Sequence, residues 1–524
     1  MKKIMLFVTL FVLFSFADEI KRTFLAPYTP NTSVSQTVSD FLNNPANRFE
    51  KIHVSVVYMD LVDDEQSKVI LEAWPQKKLS NYWIDGVKVS EKDFFEYQKN
   101  HMKAFKSPGY DSVMSYDEIK RVIDSKVPVY IDVFKPREPA NYPAYDSILQ
   151  VSKITSNAFA NLYNGSGIGI YFTETGCPSL TDINSSNYSQ GYGDCSNGVQ
   201  SHATLVTKVL QSTAPQAHIY GYDQHNYPNP DTVDPVINIG SHSWSQGDSQ
   251  TYASEDAEMD NYIYNSGVTN FVCAGNKKND NQTFNVTTPG KAVNAITVGA
   301  VNPRNNQYDA YSRWINSAIG NQKPELVNYA EFYFPNFGDF DGTSASTPYT
   351  AAMAADLMTQ IPGLKRHPEA IKAYMLAQDG RTIYAGYNYD QDNGTPAALE
   401  VPYYNNQPDI EHVLVWNGNN ACCYAGDGSI EVTETNIVSG HRYKIAIAWL
   451  VPGSYVLQNG YLSQDIDLDV YQGNTLVAYS ISGINPFEMV DFTTQSSQDL
   501  RIVITRFSNS GYGKVALGYA MWHN

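Results

Sequence analysis

The sequence has few charged residues, and most of them are acidic. Charged residues make up 17% of the 524 residues, with 36 Lys and Arg against 54 Asp and Glu, so the formal net charge is −18. Such a chain lacks the basic surface that a phosphate backbone requires, and we expect no nucleic-acid partner. The negative charge suits a soluble protein whose copies repel one another, and we expect a monomer.

Long apolar runs are also missing, apart from one near the first residue. Met1-Lys2-Lys3 precedes an apolar run over 4–17 that ends in Ser-Phe-Ala. The run is short for a bilayer span, and its last small residues are typical of signal-peptide cleavage after Ala17. We therefore expect a signal peptide over 1–17, export to the medium, periplasm or cell surface, and no transmembrane segment in the mature chain. An N-terminal anchor is the alternative.

Cysteine is scarce, with five copies. In an exported chain these residues are free to form disulfides. Cys177 and Cys195 bracket a loop rich in Gly, Ser and Asn and are the candidate pair, whereas Cys422 and Cys423 are adjacent. Cys273 lies in an apolar run that favours a buried thiol.

Apolar residues are plentiful at 42%, and the length allows about three domains. Residues 18–140 read as a small α+β segment with strands predicted at 52–59 and 127–134. Capping signals predict helices beginning at Ser90 and Ser115. A proline-rich stretch, 136–143, is a plausible linker to the next domain.

The central motif is Gly342-Thr343-Ser344-Ala345-Ser346-Thr347-Pro348, which runs into an alanine-rich helical stretch. A serine that follows a glycine turn lies at a helix N-terminus, where negative charge is stabilised. An ordinary N-cap is the simpler interpretation of Gly-Thr-Ser alone. The longer string resembles the serine motif of the subtilisin-like peptidases (subtilases), which implies that Ser344 is a nucleophile.

That resemblance implies an acid and a histidine earlier in the chain. Residues 165–176 form a short apolar strand that ends at Glu174-Thr175-Gly176, where the subtilase pattern has Asp before Thr/Ser-Gly. Residues 201–206, Ser-His-Ala-Thr-Leu-Val, resemble the histidine motif, with Ala203 in place of glycine. Glu174 and His202 are therefore expected to complete a triad with Ser344, and Glu174 departs from the family in residue type.

Two further strings follow in family order. Ala274-Gly275-Asn276 resembles the turn that carries the oxyanion-hole asparagine, so Asn276 is expected to stabilise an oxyanion and Gly275 to contact substrate. Ser243-Trp244 follows a buried strand over 236–240 and resembles the edge that binds a substrate backbone as an added strand. The resemblance covers about 160–400.

This resemblance and the repeated short strands and helices predict an α/β catalytic domain over 141–403, with a parallel sheet and helices on both faces. The preceding segment, 18–140, is either a propeptide or an accessory α+β domain. From 404 to 524 the pattern is all-β and resembles the jelly-roll domain of some secreted subtilases. Strands are predicted at 443–449 and 501–507.

Asp465, Asp467 and Asp469 alternate along one strand, so their side chains share a face. Mutual repulsion makes them candidate calcium ligands, and a solvated acidic face is the equal alternative.

The expected activity is that of a secreted serine endopeptidase acting on proteins or peptides without a cofactor in the chemistry. The alternative is a subtilase fold that is catalytically weak or inactive and binds a partner, because glutamate carries the carboxylate about 1 Å or more further than aspartate.

Overall fold

The computed structural model describes residues 33–58, 82–84, 87–89, 109–124, 129–133, 138–139, 149–150, 164–192, 195, 197–223, 227–247, 250–277, 284–302, 307–309, 311–314, 318–334, 336–378, 382–383, 398–400, 410–417, 429–509 and 515–523. The predicted signal peptide, the helix start at Ser90, and Cys422 and Cys423 lie outside these residues. Within the described part, no helix is both long and apolar enough to cross a bilayer.

The N-terminal unit is a small sheet with two helices. Its elements are β1 (Ser33–Val34), α1 (Gln36–Asn43), β2 (Lys51–Tyr58), β3 (Tyr82–Ile84), β4 (Val87–Val89), β5 (Gly109–Ser115), α2 (Tyr116–Asp124) and β6 (Val129–Val133). The main sheet has the order β1-β6-β2-β5, and β3 pairs with β4. The predicted cap is present, since the Ser115 N–H donates to Glu118 Oε2 at 2.7 Å. The two predicted strands and the helix start at Ser115 are confirmed.

The central domain is built on a long sheet. Two short strands, β7 (Glu138–Pro139) and β8 (Leu149–Gln150), precede it. The next strands are β9 (Gly169–Glu174), β10 (Tyr188–Tyr192), β11 (His218–Asp223), β12 (Ile237–His242), β13 (Trp244–Ser245), β14 (Thr269–Cys273), β15 (Ile296–Asn302), β16 (Gln307–Tyr308), β17 (Leu326–Tyr329), β18 (Phe332–Phe334), β19 (Gly338–Phe340), β20 (Thr382–Ile383) and β21 (Ala398–Glu400). The sheet order is β10-β11-β9-β12-β14-β15-β17-β21-β20, and its pairs from β10 to β21 are parallel.

Helices cover both faces of this sheet. They are α3 (Ser201–Thr213), α4 (Ser254–Ser266), α5 (Thr343–Gln360) and α6 (Pro368–Ala377). Alternate residues of β9 point to opposite faces. Ile170 and Phe172 pack with α3 and α5, whereas Tyr171 packs with Tyr262 of α4. The predicted fold class, a parallel α/β sheet with helices on both faces, is therefore confirmed.

The C-terminal part consists of two antiparallel sheets. Its elements are β22 (Ile410–Asn417), β23 (Ser429–Glu434), β24 (Arg442–Trp449), α7 (Gly453–Asn459), β25 (Gln464–Gln472), β26 (Thr475–Ser480), β27 (Phe487–Thr493), β28 (Leu500–Asn509) and β29 (Ala516–His523). One sheet has the order β22-β29-β24-β27 and the other β23-β28-β25-β26. Side chains from both sheets meet in one core, so the pair forms a β-sandwich. The predicted strands at 443–449 and 501–507 are β24 and β28.

Helix α6 lies between the central sheet and the sandwich. It packs against β24 and β29, and Ala446, Met489 and Ala520 of the sandwich belong to the same apolar core as the helix. The contact is close at Gly518, where a Cβ atom would lie 2.5 Å from Cα of Ala370. The sandwich is therefore continuous with the interior of the central domain.

Candidate active site

Ser344 is the second residue of α5, directly after a glycine turn. Gly342 has φ of 85°, a left-handed conformation that side chains disfavour, and this turn brings the serine to the helix N-terminus. The helix continues through the interior on small side chains, with Ala351 and Ala355 fully buried. The N–H groups and dipole of the first helical turn favour negative charge beside Ser344.

Ser344 and Ser243 hold each other through two hydrogen bonds. The Ser344 hydroxyl donates to the Ser243 carbonyl oxygen at 3.1 Å, and the Ser243 hydroxyl donates to the Ser344 carbonyl oxygen at 2.9 Å. Both residues are buried. This reciprocal contact ties the start of α5 to the segment between β12 and β13.

Glu174 and His202 form a buried pair. Glu174 ends β9, His202 lies in the first turn of α3, and Nδ1 of the imidazole is 2.9 Å from Oε2 of the carboxylate. Because a carboxylate only accepts, Nδ1 donates the hydrogen of this bond, and the tautomer that does so has its lone pair on Nε2. Among the described residues, Nε2 and the second oxygen, Oε1, have no hydrogen-bond partner. The ring also packs edge-on against Phe340, 5.6 Å away between centroids, just before the serine turn.

A disulfide lies between the acid and the histidine in sequence. Cys177 and Cys195 are bonded, which confirms the predicted pair. The Cys177 N–H donates to the Gly198 carbonyl oxygen at 3.1 Å, and the Gln200 N–H donates to the Cys177 carbonyl oxygen at 2.9 Å. These bonds join the loop after β9 to the entry of α3, so they help to set the separation of Glu174 and His202.

Asn276 contacts the residue that precedes Ser344. Its Oδ1 accepts from the Thr343 N–H at 3.1 Å and from the Thr343 hydroxyl at 3.0 Å. Two donors to the oxygen fix the orientation of the amide, so its nitrogen faces away from Thr343. Gly275, with φ of 89°, makes the turn before Asn276.

The predicted substrate edge already carries a neighbouring strand. Strand β13 pairs antiparallel with β7, with Trp244 opposite Pro139 and Ser245 opposite Glu138. Glu138 and Pro139 are the described residues of the predicted linker 136–143. The Trp244 side chain is buried, and its Nε1–H donates to the Thr173 hydroxyl at 2.6 Å. Trp244 is thereby tied to the strand that ends at Glu174.

No sequence motif indicates His242 or the polar cluster around it. Nδ1 of His242 lies 3.0 Å from the Thr173 hydroxyl, and Nε2 lies 2.8 Å from Oδ1 of Asn270. The Tyr171 hydroxyl donates to the same Oδ1 at 2.6 Å. These residues come from β9, β12 and β14, so no local motif could have indicated the cluster.

The predicted calcium ligands lie on β25, remote in sequence from the other candidates. Asp465 and Asp467 are buried and Asp469 is half-buried. Burial raises the pKa of the neighbouring Glu488 on β27, and the two buried aspartates raise it further. In the described part of the chain, no group of three His, Cys, Asp or Glu side chains is arranged to hold a metal ion. Calcium binding stays a prediction.

Comparison with known proteins supports the interpretation of the motifs. Residues 179–397 match the Peptidase S8 family, described as the subtilase family. The matched segment contains His202, Asn276 and Ser344, begins five residues after Glu174, and covers less than half of the chain. No curated protein sequence matches the chain.

Several solved protease structures match parts of this chain. The serine protease of Aeromonas sobria is 11% identical over 69% of this chain and 88% of its own, with a TM-score of 0.35. Fervidolysin from Fervidobacterium pennivorans, a keratinolytic enzyme related to subtilisin, is 13% identical over 89% and 72%, with a TM-score of 0.43. The S41 psychrophilic protease is 20% identical over 49% and 98%, with a TM-score of 0.36. The match to residues 179–397 lies within the central domain, so this part of the parallel α/β domain is similar to the subtilase family of serine peptidases.

Proposed function

We propose that the chain is an exported serine endopeptidase that forms an acyl-enzyme on Ser344 with a Glu-His-Ser triad. The observation that carries the proposal is the buried Glu174–His202 pair, 2.9 Å between Nδ1 and Oε2, in one domain with a serine at a helix N-terminus. The longer glutamate side chain reaches the imidazole at normal hydrogen-bond length. The disulfide supports export, because such bonds persist in oxidising compartments.

In the proposed reaction, Oγ of Ser344 attacks a peptide carbonyl while Nε2 of His202 takes the hydroxyl proton. The ring then gives that proton to the leaving amine, and a water molecule hydrolyses the ester with the same ring nitrogen as base. Glu174 fixes the tautomer and stabilises the imidazolium. The side-chain amide of Asn276 and the Ser344 N–H stabilise the oxyanion. This chemistry needs no cofactor.

Substrate binding is proposed to bring the nucleophile into position. An extended segment added along Ser243, Trp244 and the Gly275 turn would offer backbone N–H groups to the edge carbonyls. One of those carbonyls, on Ser243, accepts the Ser344 hydroxyl in the structure. A substrate N–H would compete for it and release the hydroxyl towards His202.

The N-terminal unit is proposed to be a propeptide. Strand β7 occupies the same edge as the proposed substrate, in antiparallel register with β13. Strand β7 ends at Pro139, opposite Trp244 and one residue along β13 from Ser243, which contacts the nucleophile. We therefore propose self-cleavage near the linker 136–143, with 1–17 removed earlier as a signal peptide.

The principal test is labelling of the purified mature protein with a fluorophosphonate. Ser344 should be modified, and Ser344→Ala should abolish labelling. Ser346→Ala is the matched control, because Ser346 is equally buried in the same helical turn but donates to the Thr343 carbonyl oxygen. Labelling that survives Ser344→Ala would contradict the proposed nucleophile. Absence of labelling in folded mature protein would favour a non-catalytic binding protein.

Substitution of Glu174 tests the acid. Glu174→Gln can stabilise the wrong tautomer, and kcat should fall by about 10⁴-fold with little change in substrate binding. Glu174→Asp withdraws the carboxylate by about 1 Å, and kcat should fall by about 10²-fold. Equal kcat for all three side chains would show that Glu174 does not orient His202.

N-terminal sequencing tests the proposed processing. Wild type should begin within or just after the linker 136–143, whereas Ser344→Ala should keep the N-terminal unit. If both proteins begin at the same residue, self-cleavage is wrong and the unit is an accessory domain.

A further inference from the structure

Arg313 places a charged side chain in the protein interior next to the proposed oxyanion hole. The residue is 2% exposed. Its Nε donates to the backbone carbonyl oxygen of Asn276 at 3.3 Å, and Nη1 donates to the carbonyl oxygen of Asn285 at 3.0 Å. Burying a guanidinium costs free energy unless its N–H groups are hydrogen-bonded, so the position of Arg313 in the interior requires an explanation.

The backbone around Arg313 follows the turn that carries Asn276. The Arg313 N–H donates to the Gly275 carbonyl oxygen at 3.1 Å, and the Lys277 N–H donates to the Tyr311 carbonyl oxygen at 2.7 Å. Ser312 forms an antiparallel bridge with Asn276 itself. The segment Tyr311–Arg313 therefore holds the Asn276 turn along its whole length.

The same segment also reaches the serine turn. The Gly342 N–H donates to the Tyr311 hydroxyl at 3.2 Å, two residues before Ser344. On the other side, the Tyr308 hydroxyl donates to the Arg313 carbonyl oxygen at 2.6 Å and anchors the segment to the sheet. The segment Tyr311–Arg313 thus makes hydrogen bonds to both turns, the one that carries Asn276 and the one that carries Ser344.

We propose that Arg313 is a positioning residue for the oxyanion hole, acting through Asn276. Thr343 fixes the side-chain oxygen of Asn276, and Arg313 fixes its main-chain oxygen, so the amide nitrogen is oriented before substrate arrives. Preorganised donors stabilise the transition state because they need no rearrangement during reaction. The inference rests on the role proposed above for Asn276.

The residue type fits this role. A guanidinium offers several donors in a planar fork and binds two carbonyl oxygens from different segments at once. Lysine keeps the charge but presents a single ammonium on a flexible stem, so it would hold the Asn276 backbone less firmly. Arg313→Lys therefore weakens the orientation while it retains the buried charge.

A double-mutant cycle in the processed enzyme tests the inference. The four proteins are wild type, Arg313→Lys, Asn276→Ala and the double variant, each assayed for kcat and KM on one peptide substrate and for thermal unfolding. Fluorophosphonate titration counts the folded active sites, so that any misfolded fraction does not enter kcat. Arg313→Gln is the second variant if Arg313→Lys fails to fold.

We expect Asn276→Ala to lower kcat by about 10²–10³-fold. Arg313→Lys should lower kcat by about 10- to 10²-fold with little change in KM, since sub-ångström errors in position are costly. In the Asn276→Ala background the arginine substitution should change kcat by less than about 3-fold, because the amide that it orients is gone. Arg366→Lys is the control, since Arg366 also donates to a backbone carbonyl, that of Ser266, but belongs to no part of the proposed site.

The outcomes separate the two proposals. If Arg313→Lys lowers kcat equally in both backgrounds, or leaves kcat at the wild-type value, the positioning role is overturned while Asn276 keeps its role. If Asn276→Ala leaves kcat unchanged, the proposed oxyanion role fails first. A lower unfolding temperature with kcat unchanged per titrated site would also overturn the inference, because it would show a purely structural arginine.

Discussion

The N-terminal unit and the C-terminal sandwich are joined to the central domain in different ways. The N-terminal unit has its own small core, and in the described part of the chain this core includes no residue of the central domain: it consists of Val38, Val54, Met114, Ile119, Val122 and Ile131. It touches the central domain through β2 and β6 on α4 and through β7 on β13. The sandwich instead contributes side chains to the central core itself.

Polar contacts show the same difference. Asn294 of the central domain donates to the Val451 carbonyl oxygen at 2.7 Å and accepts from the Val451 N–H at 2.8 Å. Lys444 of the sandwich donates to the Gln378 carbonyl oxygen at 2.9 Å. Because the apolar core and the buried hydrogen bonds both cross this boundary, the sandwich is part of the enzyme's folding unit, whereas the N-terminal unit is attached from outside.

The largest expected effect is that of deleting the sandwich, residues 404–524. The deletion uncovers the side of α6 that packs on β24 and β29 and removes partners from the central core, so the remaining chain should not fold to a soluble protein. Soluble yield, circular dichroism and fluorophosphonate labelling measure this. Removal of the N-terminal unit by the proposed self-cleavage is the matched comparison and should leave labelling complete. If the 1–403 fragment unfolds cooperatively and is labelled at Ser344, the central domain depends on the sandwich no more than it depends on the N-terminal unit.

Gly518→Ala should also be strongly destabilising. The added methyl group would lie 2.5 Å from backbone atoms of Glu369 and Ala370, which cannot rotate away, and the free energy of unfolding should fall by about 3 kcal/mol. Gly363→Ala is the control, since among the described residues no atom outside the neighbouring backbone lies within 4 Å of the position that its Cβ would take, and the change should stay within about 0.5 kcal/mol. Denaturant titration distinguishes them, and equal losses would contradict close packing at α6.

Asn294→Ala should lower the free energy of unfolding by about 2–3 kcal/mol. It leaves the buried N–H and carbonyl of Val451 without their partner, and unsatisfied buried groups are costly. Gln495→Ala removes an exposed amide in the same sandwich and should change stability by about 0.5 kcal/mol or less. A loss for Asn294→Ala no larger than that of the control would mean that the Val451 groups find other partners.

A pH effect is expected at the same boundary. Burial raises the pKa of Asp260 to about 7, although hydrogen bonds from the Tyr252 hydroxyl and from the N–H groups of Val293 and Asn294 lower it in part. Between its ordinary pKa and about 7, the folded protein holds a proton that the unfolded chain has released. The contribution of Asp260 to stability is therefore greatest at low pH and falls as pH rises, by about 1 kcal/mol between pH 6 and 7. Asp260→Asn should flatten this slope in denaturant titrations, and an unchanged slope would assign it to another group.

The smallest effect on the mature enzyme should come from Val54→Ala. Val54 is fully buried in the N-terminal core, so the substitution should destabilise that unit and slow the appearance of mature protein. The unfolding temperature of the mature enzyme should not change. A shifted unfolding temperature after complete processing would show that the unit remains part of the folded enzyme.

The sequence indicated the site residues because each lies in a local string. Glu174 ends an apolar strand, His202 opens a helix and Ser344 follows a glycine turn, and these placements are what the structure has. The alternation of Asp465, Asp467 and Asp469 correctly predicted a shared strand, but the nearby Glu488 comes from another strand and left no local signal. Arg313 lies 37 residues from Asn276 along the chain, so its contact depends on tertiary packing alone.

The interdomain core could not be predicted for a different reason. Helix α6 is buried along its length and rich in alanine, and such a helix has the same sequence pattern whether a sheet, a helix or a second domain covers it. The change to an all-β sequence pattern near residue 404 therefore indicated where the strands of the sandwich begin. It gave no information about what those strands pack against.

The position of α6 has a consequence for protein engineering and for recombination of this chain with related proteins. A crossover at the sequence boundary near 404 would combine α6 of this chain with the sandwich of a related protein. The surface of α6 would not be complementary to that sandwich. A crossover before Pro368 would transfer α6 together with the strands that cover it, including the close approach of Ala370 to Gly518. The segment that should be exchanged as one piece therefore begins at α6, inside the central domain, and not at the sequence boundary near 404.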